Sequence, residues 1–195
     1  MEYKYFIANK PFNTLCQFSG SEGKSTLKDF FNFDKDVYPL GRLDYDSEGL
    51  LIFTNDNYLK TQLLNPENER NKTYLVQVEG EMTESAILEL KNGVIINVNG
   101  NQYKTKPAKA ELINNLLEIP ERVPPIRFRK NINTSWLKIT ITEGKNRQIR
   151  KMAAKVGFPT LRLIRISIEG IELGNLKPGE VKMMSRKKIY EKLKM

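Results

Sequence analysis

The chain has 195 residues, one cysteine, no histidine and a net charge of +9. Without histidine, Ser-His-Asp triads, HExxH zinc sites and His-ligated iron are excluded, and with Cys16 alone so are thiolate metal clusters and an internal disulfide. Catalysis must then use Asp, Glu, Lys, Arg, Tyr or Ser, on a chain whose 39% hydrophobic content and lack of a ~20-residue apolar run describe a globular protein outside the membrane.

At the N-terminus, "MEYKYFIANKPF" shows no apolar stretch behind a basic start, which together with the single thiol points to a reducing cytoplasm. "KYFIANKP" reads as a first strand ended by Pro11, and "KSTLKDFFNF" as a short helix capped by Ser25 or Thr26. Before it, "GSEGKST" ends like a phosphate-binding loop. The glycine needed five positions before Gly23 is Phe18, so the segment reads as a turn and helix cap. "GLLIFTND" is a strand, and Asp56 caps a helix placing Leu59, Leu63 and Leu64 on one face. "KTYLVQVEG" alternates, sending Tyr74, Val76 and Val78 to one side. "TESAILELKNG" is a helix from its Thr83 cap to Gly93. Strands follow at "VIINV", "AKAELI", "TSWLKITIT" and "LRLIRISI". Between the last two, "GKNRQIRKMAAKVG" is a helix with Ile149, Met152, Ala153 and Val156 inward and Gly157 closing it. Strands outnumber helices and do not alternate strictly with them, which predicts an α+β fold with a mostly antiparallel sheet. No linker composition interrupts the chain, so residues 1–195 read as one catalytic-size unit. The longest irregular stretch is "IPERVPPIRFRKNINTS", rich in proline and base.

The stretch "GRLDYDSEGLLIFTN" sets Asp44, Asp46 and Glu48 directly before an apolar strand. An EF-hand fits Asp44, Asp46 and Gly49 but fails at Glu48, at Asn55 where a bidentate Glu belongs, and upstream, where Pro39 and Gly41 replace the incoming helix. Two readings stay open: a structural turn made by Asp side chains, and a catalytic carboxylate. A nucleophilic carboxylate has to stay ionised in a desolvated site, which requires a permanent cation beside it. Arg42 and the "NRQIRK" segment offer one.

Charge is unevenly spread. Residues 1–60 hold nine acids and seven bases, whereas Arg122 to Arg165 hold twelve Lys or Arg and one acid, Glu143. From Lys182 onward six bases accompany Glu191. Such clustering is what a protein that follows a phosphate backbone carries.

Taken in order, "GRLDYDSEGLLIFTND", "KTYLVQVEG" and "EGKNRQIRKMAAKVGFPTLRLIRISI" resemble the three motifs of the small-subunit type pseudouridine synthases, and the likeness extends from about Tyr5 to Glu180. Within that family "NKPFNTLCQFS" and "PPIRFRKNINTSWLKITITEGKNRQIRKM" are most similar to the E type, which acts on the large ribosomal subunit. The resemblance implies a pseudouridine synthase fold, a mostly antiparallel mixed sheet with flanking helices and a central cleft, without the additional N-terminal RNA-binding domain of many members. It implies conversion of uridine to pseudouridine in 23S ribosomal RNA, free or in an assembly intermediate, by a monomer needing no cofactor and no metal. Asp44 matches the catalytic aspartate, Arg42 the arginine that fills the gap left by a flipped base, Tyr74 the tyrosine stacked on the target uracil, and Arg150 the basic residue that ion-pairs with the aspartate. Lys145, where many members have Arg, joins Arg147, Lys151 and Lys155 of the helix, Arg127, Arg129 and Lys130 of the proline-rich stretch, and Arg162 and Arg165 of the last strand as expected RNA contacts. The alternative of another class is a non-catalytic RNA-binding or ribosome-assembly module built on the same basic patch.

Overall fold

The computed structural model describes residues 2–20, 22–113, 119–126 and 133–195. Two compact units emerge: one comprises Met1–Lys72 with Ile164–Met195, the other Thr73–Leu163. Pairing among their strands is mostly antiparallel, with four α-helices among the described residues, the α+β class that the order of elements predicts.

In the first unit β1 (Tyr5–Lys10) lies antiparallel to β5 (Glu48–Thr54), Ile7 opposite Ile52. Every residue of β5 is buried, which explains why its sequence is a continuous apolar run instead of an alternation. The short strands β2 (Thr14–Leu15) and β3 (Ser25–Thr26) pair in parallel, and β4 (Tyr38–Pro39) runs antiparallel along β5. The helix expected at "KSTLKDFFNF" is therefore only one 3-10 turn, Leu27–Asp29. Its first residues are spent in β3, and Phe31 and Phe33 pack their rings 5.6 and 4.8 Å from that of Phe53 instead of forming a helical stripe. Helix α1 (Asn57–Leu64) starts on Asp56, whose carboxylate accepts the Tyr58 and Leu59 N–H groups at 3.0 and 3.2 Å. Leu59 and Leu63 are buried, but Leu64 is exposed, because five residues at ~100° each carry it ~140° away from Leu59.

The second unit begins with β6 (Lys72–Glu79), where Tyr74, Val76 and Val78 are buried as its alternation predicts. Helix α2 (Glu84–Asn92) is capped by Thr83 and followed by Gly93 at φ +76°. A hairpin follows, β7 (Ile95–Val98) and β8 (Asn101–Lys104), turning on Asn99 and Gly100, both at positive φ. Strands β9 (Lys109–Leu112) and β10 (Thr134–Ile141) pair antiparallel, with β6 on the other side of β10. Helix α3 (Gln148–Lys155) buries Ile149, Met152 and Ala153, while Val156 at its C-cap stays half-buried and Gly157 closes it at φ +93°.

Strand β11 (Thr160–Ile168) leads back into the first unit, where it runs parallel to β5 with Arg165 opposite Gly49. There β12 (Ile171–Glu172), β13 (Val181–Met184) at the outer edge of β1, and α4 (Arg186–Leu193) complete the chain.

Candidate active site

The segment carrying the three acids is a tight return. Tyr38 and Pro39 pair with Thr54 and Phe53, Gly41 turns the chain at φ +77°, and the Ser47 N–H donates to the Asp44 carbonyl at 3.1 Å before β5 begins at Glu48. A twelve-residue calcium loop has no place where the seventh through eleventh positions, Leu50 to Thr54, are strand.

Neighbouring groups fix this return from below. The Leu43 N–H donates to Cys16 Sγ at 3.2 Å, and the Tyr45 carbonyl accepts both the Thr14 N–H at 3.2 Å and Lys10 Nζ at 3.4 Å. Lys10 is fully buried and also donates to the Pro11 carbonyl at 2.8 Å. Burial pushes its pKa down to about 8, against the opposing pull of Cys16 and of the Glu48, Asp46 and Asp44 carboxylates. Burial likewise pushes the Cys16 thiol up, against the Leu43 N–H and the charges of Lys10, Arg165 and Arg42. Gly49 lets the parallel strand come close: at φ +105°, a Cβ there would sit 2.3 Å from the Arg165 carbonyl oxygen. The outcome is a half-buried Asp44 carboxylate on a backbone tied at the residues on either side of it, with Arg42 exposed nearby in sequence. A side chain carried on a backbone held in this way has a narrow range of positions.

In the second unit Tyr74 lies on the buried face of β6 with 8% of its surface exposed. The motif "EGKNRQIR" is organised by Glu143. This carboxylate accepts the Tyr103 hydroxyl, the Lys106 N–H at 2.9 Å and Gln148 Nε2 at 2.7 Å. Burial works against its charge, yet those donors outweigh it and hold the carboxyl below its ordinary value. Gln148 Oε1 in turn accepts the Lys145 N–H at 3.0 Å, and Lys145 Nζ stands 4.8 Å from the centre of the Tyr103 ring. Arg147 sits at φ +51° immediately before α3, exposed like Lys155, with Lys151 half-buried between them. These three share the side of α3 opposite Ile149 and Met152. Half-buried Arg150 points Nη1 at the Thr160 carbonyl, 3.5 Å away.

Two expected RNA contacts lie inside. Arg162 is 6% exposed and donates to the Pro120 carbonyl at 2.8 Å, and Arg165 is 4% exposed and donates from Nε to the Leu50 carbonyl at 2.8 Å. Positions on a strand with both faces covered place a guanidinium in the interior, where it satisfies main-chain carbonyls. Arg127, Arg129 and Lys130 fall outside the described residues. Sequence reasoning missed Lys10, Cys16 and Glu143. Only the last carried a signal, as the single acid among twelve bases.

The sequence profile of the RNA pseudouridylate synthase family matches residues 4–155, which include the Asp44 return, Tyr74 and all of α3. The chain belongs to the RNA pseudouridylate synthase family. The ribosomal large subunit pseudouridine synthase E of Vibrio vulnificus is 50% identical over 94% of this chain and 76% of that protein, and its namesake in Xanthomonas campestris pv. campestris is 43% identical over 89% and 91%. A solved pseudouridylate synthase superposes with a TM-score of 0.79 over 98% of this chain and 74% of the other, at 28% identity.

Proposed function

We propose that this pseudouridine synthase isomerises a uridine of large-subunit ribosomal RNA, with Asp44 as its catalytic carboxylate. The observation that carries the reading is the tethered, half-buried Asp44 in a chain whose relatives named for this activity share up to half its residues. Isomerisation breaks the bond from ribose C1′ to uracil N1 and makes one from C1′ to C5; N1 gains a proton and C5 loses one. Nothing is oxidised or reduced and no group leaves, so the reaction demands one nucleophilic carboxylate and a place that retains the detached base. A hydrolase would instead need a second acid set at fixed distance around a water. Here Asp46 is half-buried in the turn and Glu48 enters the strand.

In this reading the target base leaves its stack to reach Asp44 and is received on the Tyr74 ring. Arg42, exposed, enters the space that the base vacates, and Arg150 supplies the permanent cation that keeps Asp44 ionised near RNA phosphates. Lys145, Arg147, Lys151 and Lys155 meet the backbone. The enzyme works as a single chain in the cytoplasm, on ribosomal RNA or an assembly intermediate; among the described residues no helix is long and apolar enough to cross a membrane.

Asn at position 44 keeps shape and polarity and removes the nucleophile. We expect Asp44→Asn to form no detectable pseudouridine when mapped on large-subunit RNA, while binding that RNA within about twofold of the unmodified protein. Pseudouridine at the wild-type level in this variant would remove the catalytic reading and leave an RNA-binding module.

A further inference from the structure

Far along the chain from the Asp44 return, the first unit has an open cavity, about 520 Å³, between β12 with the loop to Leu176 on one side and β13 with α4 on the other. That volume is within the ~300–1,000 Å³ of ordinary ligand pockets. Apart from Ile7, its lining comes wholly from residues beyond 155, past the end of the family match.

Its walls are fixed before any ligand arrives. On one side Asn9 Nδ2 donates to the Leu176 carbonyl at 2.7 Å and the Leu173 N–H to the Ile166 carbonyl at 2.8 Å. On the other, α4 is held by Asp56, whose carboxylate accepts the Tyr190 hydroxyl at 2.7 Å, and by two bonds of 3.0 Å to Gly170, one from its N–H to the Lys192 carbonyl and one from Lys192 Nζ to its carbonyl. The charged groups of the lining are Lys182, Lys188 and Lys192 against one carboxylate, Glu172. Apolar surface comes from Ile7, Ile171, Leu173 and Leu176 and from Met184, which shares the Lys182 side of β13, while Met183, 65% exposed, stands at the strand's other side. Two features thus meet in one recess, a cationic rim and a deformable apolar surface.

A nucleotide of a single strand has the matching chemistry, a phosphate for the lysines and a flat base for the Met184 thioether and the aliphatic lining. Lysine suits a backbone read without regard to sequence, being a mobile point charge and not a two-pronged fork. We propose that this cavity is a second RNA site, which seats an unpaired nucleotide of the ribosomal RNA at a distance from the uridine being isomerised. It rests on the reading of this chain as an RNA-modifying enzyme. The site adds affinity and takes no part in the chemistry, because an additional attachment on one continuous strand raises the local concentration of the strand at the first.

The test is Lys182→Gln/Lys188→Gln, two exposed side chains that hold no described internal contact of α4, so that thermal unfolding should be unchanged. Binding to protein-free large-subunit RNA is measured from 50 to 300 mM salt, with UV crosslinking and peptide mass mapping on the same samples. We expect the wild type to yield a nucleotide adduct on the peptide 182–192. We expect the double variant to lose that adduct, to bind about five- to tenfold more weakly at 100 mM salt, and to show a slope of log affinity against log salt smaller by about 1.4. Asp44→Asn should keep both adduct and slope. Equal affinity and slope in wild type and double variant, with no adduct at 182–192, would overturn the second site and leave the enzyme reading intact. Absence of RNA binding by the wild type itself would overturn both. Saturable binding of uridine monophosphate that the double variant loses, with RNA affinity unaltered, would give the cavity to a free nucleotide and also overturn the proposal.

Discussion

Lys10 and Gly49 show how single residues hold the Asp44 return. Gly49 combines φ +105° with the Arg165 main chain where a Cβ would stand, and neither conflict can be relieved by rotating a side chain. Gly49→Ala should therefore destabilise the fold by at least about 2 kcal/mol, the sum of a strained backbone and a forced shift of β11, read from the urea midpoint. Lys10 is the opposite case, a tolerated cost. Its folded pKa of about 8 lies below the ordinary lysine value of 10.5, so between those limits the unfolded chain holds a proton that the folded chain has released. The contribution of this residue to stability thus rises with pH across the window, by about 2 kcal/mol from pH 8 to pH 10. Lys10→Met, of similar length and without charge, should flatten that rise. The check is the difference in unfolding free energy between wild type and variant at several pH values in the window. A constant difference would show that Lys10 keeps its proton throughout.

At the scale of elements, α4 illustrates what holds a helix whose own sequence is mostly charge. Its eight residues include four cations and one acid, too short and too polar to persist alone. Asp56 holds it by doing two jobs: one carboxylate oxygen caps α1, and the other accepts the hydroxyls of both Tyr5 and Tyr190 at 2.7 Å. Burial opposes the charge on Asp56, but these donors prevail and lower its pKa, while burial and that same carboxylate raise those of Tyr5 and Tyr190. Tyr190→Phe removes one donor to a buried charge and should cost about 1.5 to 3 kcal/mol, releasing α4 to exchange its amide hydrogens faster than β5 does. The Asp56 cap was legible in sequence, because capping is local chemistry; its partnership with Tyr5 and Tyr190 was not, because those residues lie 51 and 134 positions away. The same divide recurs elsewhere. Strands β1 and β5 were legible from their residue types, strand β6 and helices α2 and α3 from periodicity, and the Asp44 turn from its residue types. The hairpin of β7 and β8 turns on Asn99-Gly100, a pair that suits two positive φ angles, but it was not read from the sequence, because its polar second strand offers no apolar alternation. The helix expected at residues 24–33 failed because aromatic side chains found partners in β5, a tertiary preference that local propensity does not contain.

Across the molecule, the net charge of +9 overstates what the Arg122 to Arg165 segment can offer to RNA. Arg162 and Arg165 are turned inward onto carbonyls, Lys138 pairs with Glu111 at 3.4 Å, and Arg122 donates to the carbonyls of Pro124 and Pro125. Arg147, Lys151 and Lys155 lie along one side of α3, two of them exposed, on a helix that Glu143 and Gln148 fix at its start. Phosphate contacts release condensed counterions, and each contributes about 0.9 to the slope of log affinity against log salt; an interior guanidinium contributes none. Arg147→Ala and Lys151→Ala should each lower that slope by about one and weaken binding to all RNA sequences alike, with the unfolding midpoint unchanged. Arg162→Ala and Arg165→Ala should behave in reverse, leaving the slope as it is while lowering the midpoint, since each abandons a buried carbonyl and opens a void in the interior. Measured on one RNA between 50 and 300 mM salt, the four variants separate cations that meet the polyanion from cations that hold up the surface meeting it. A slope lowered by Arg165→Ala in a protein of unchanged midpoint would place that guanidinium on the RNA and break the division drawn from its burial.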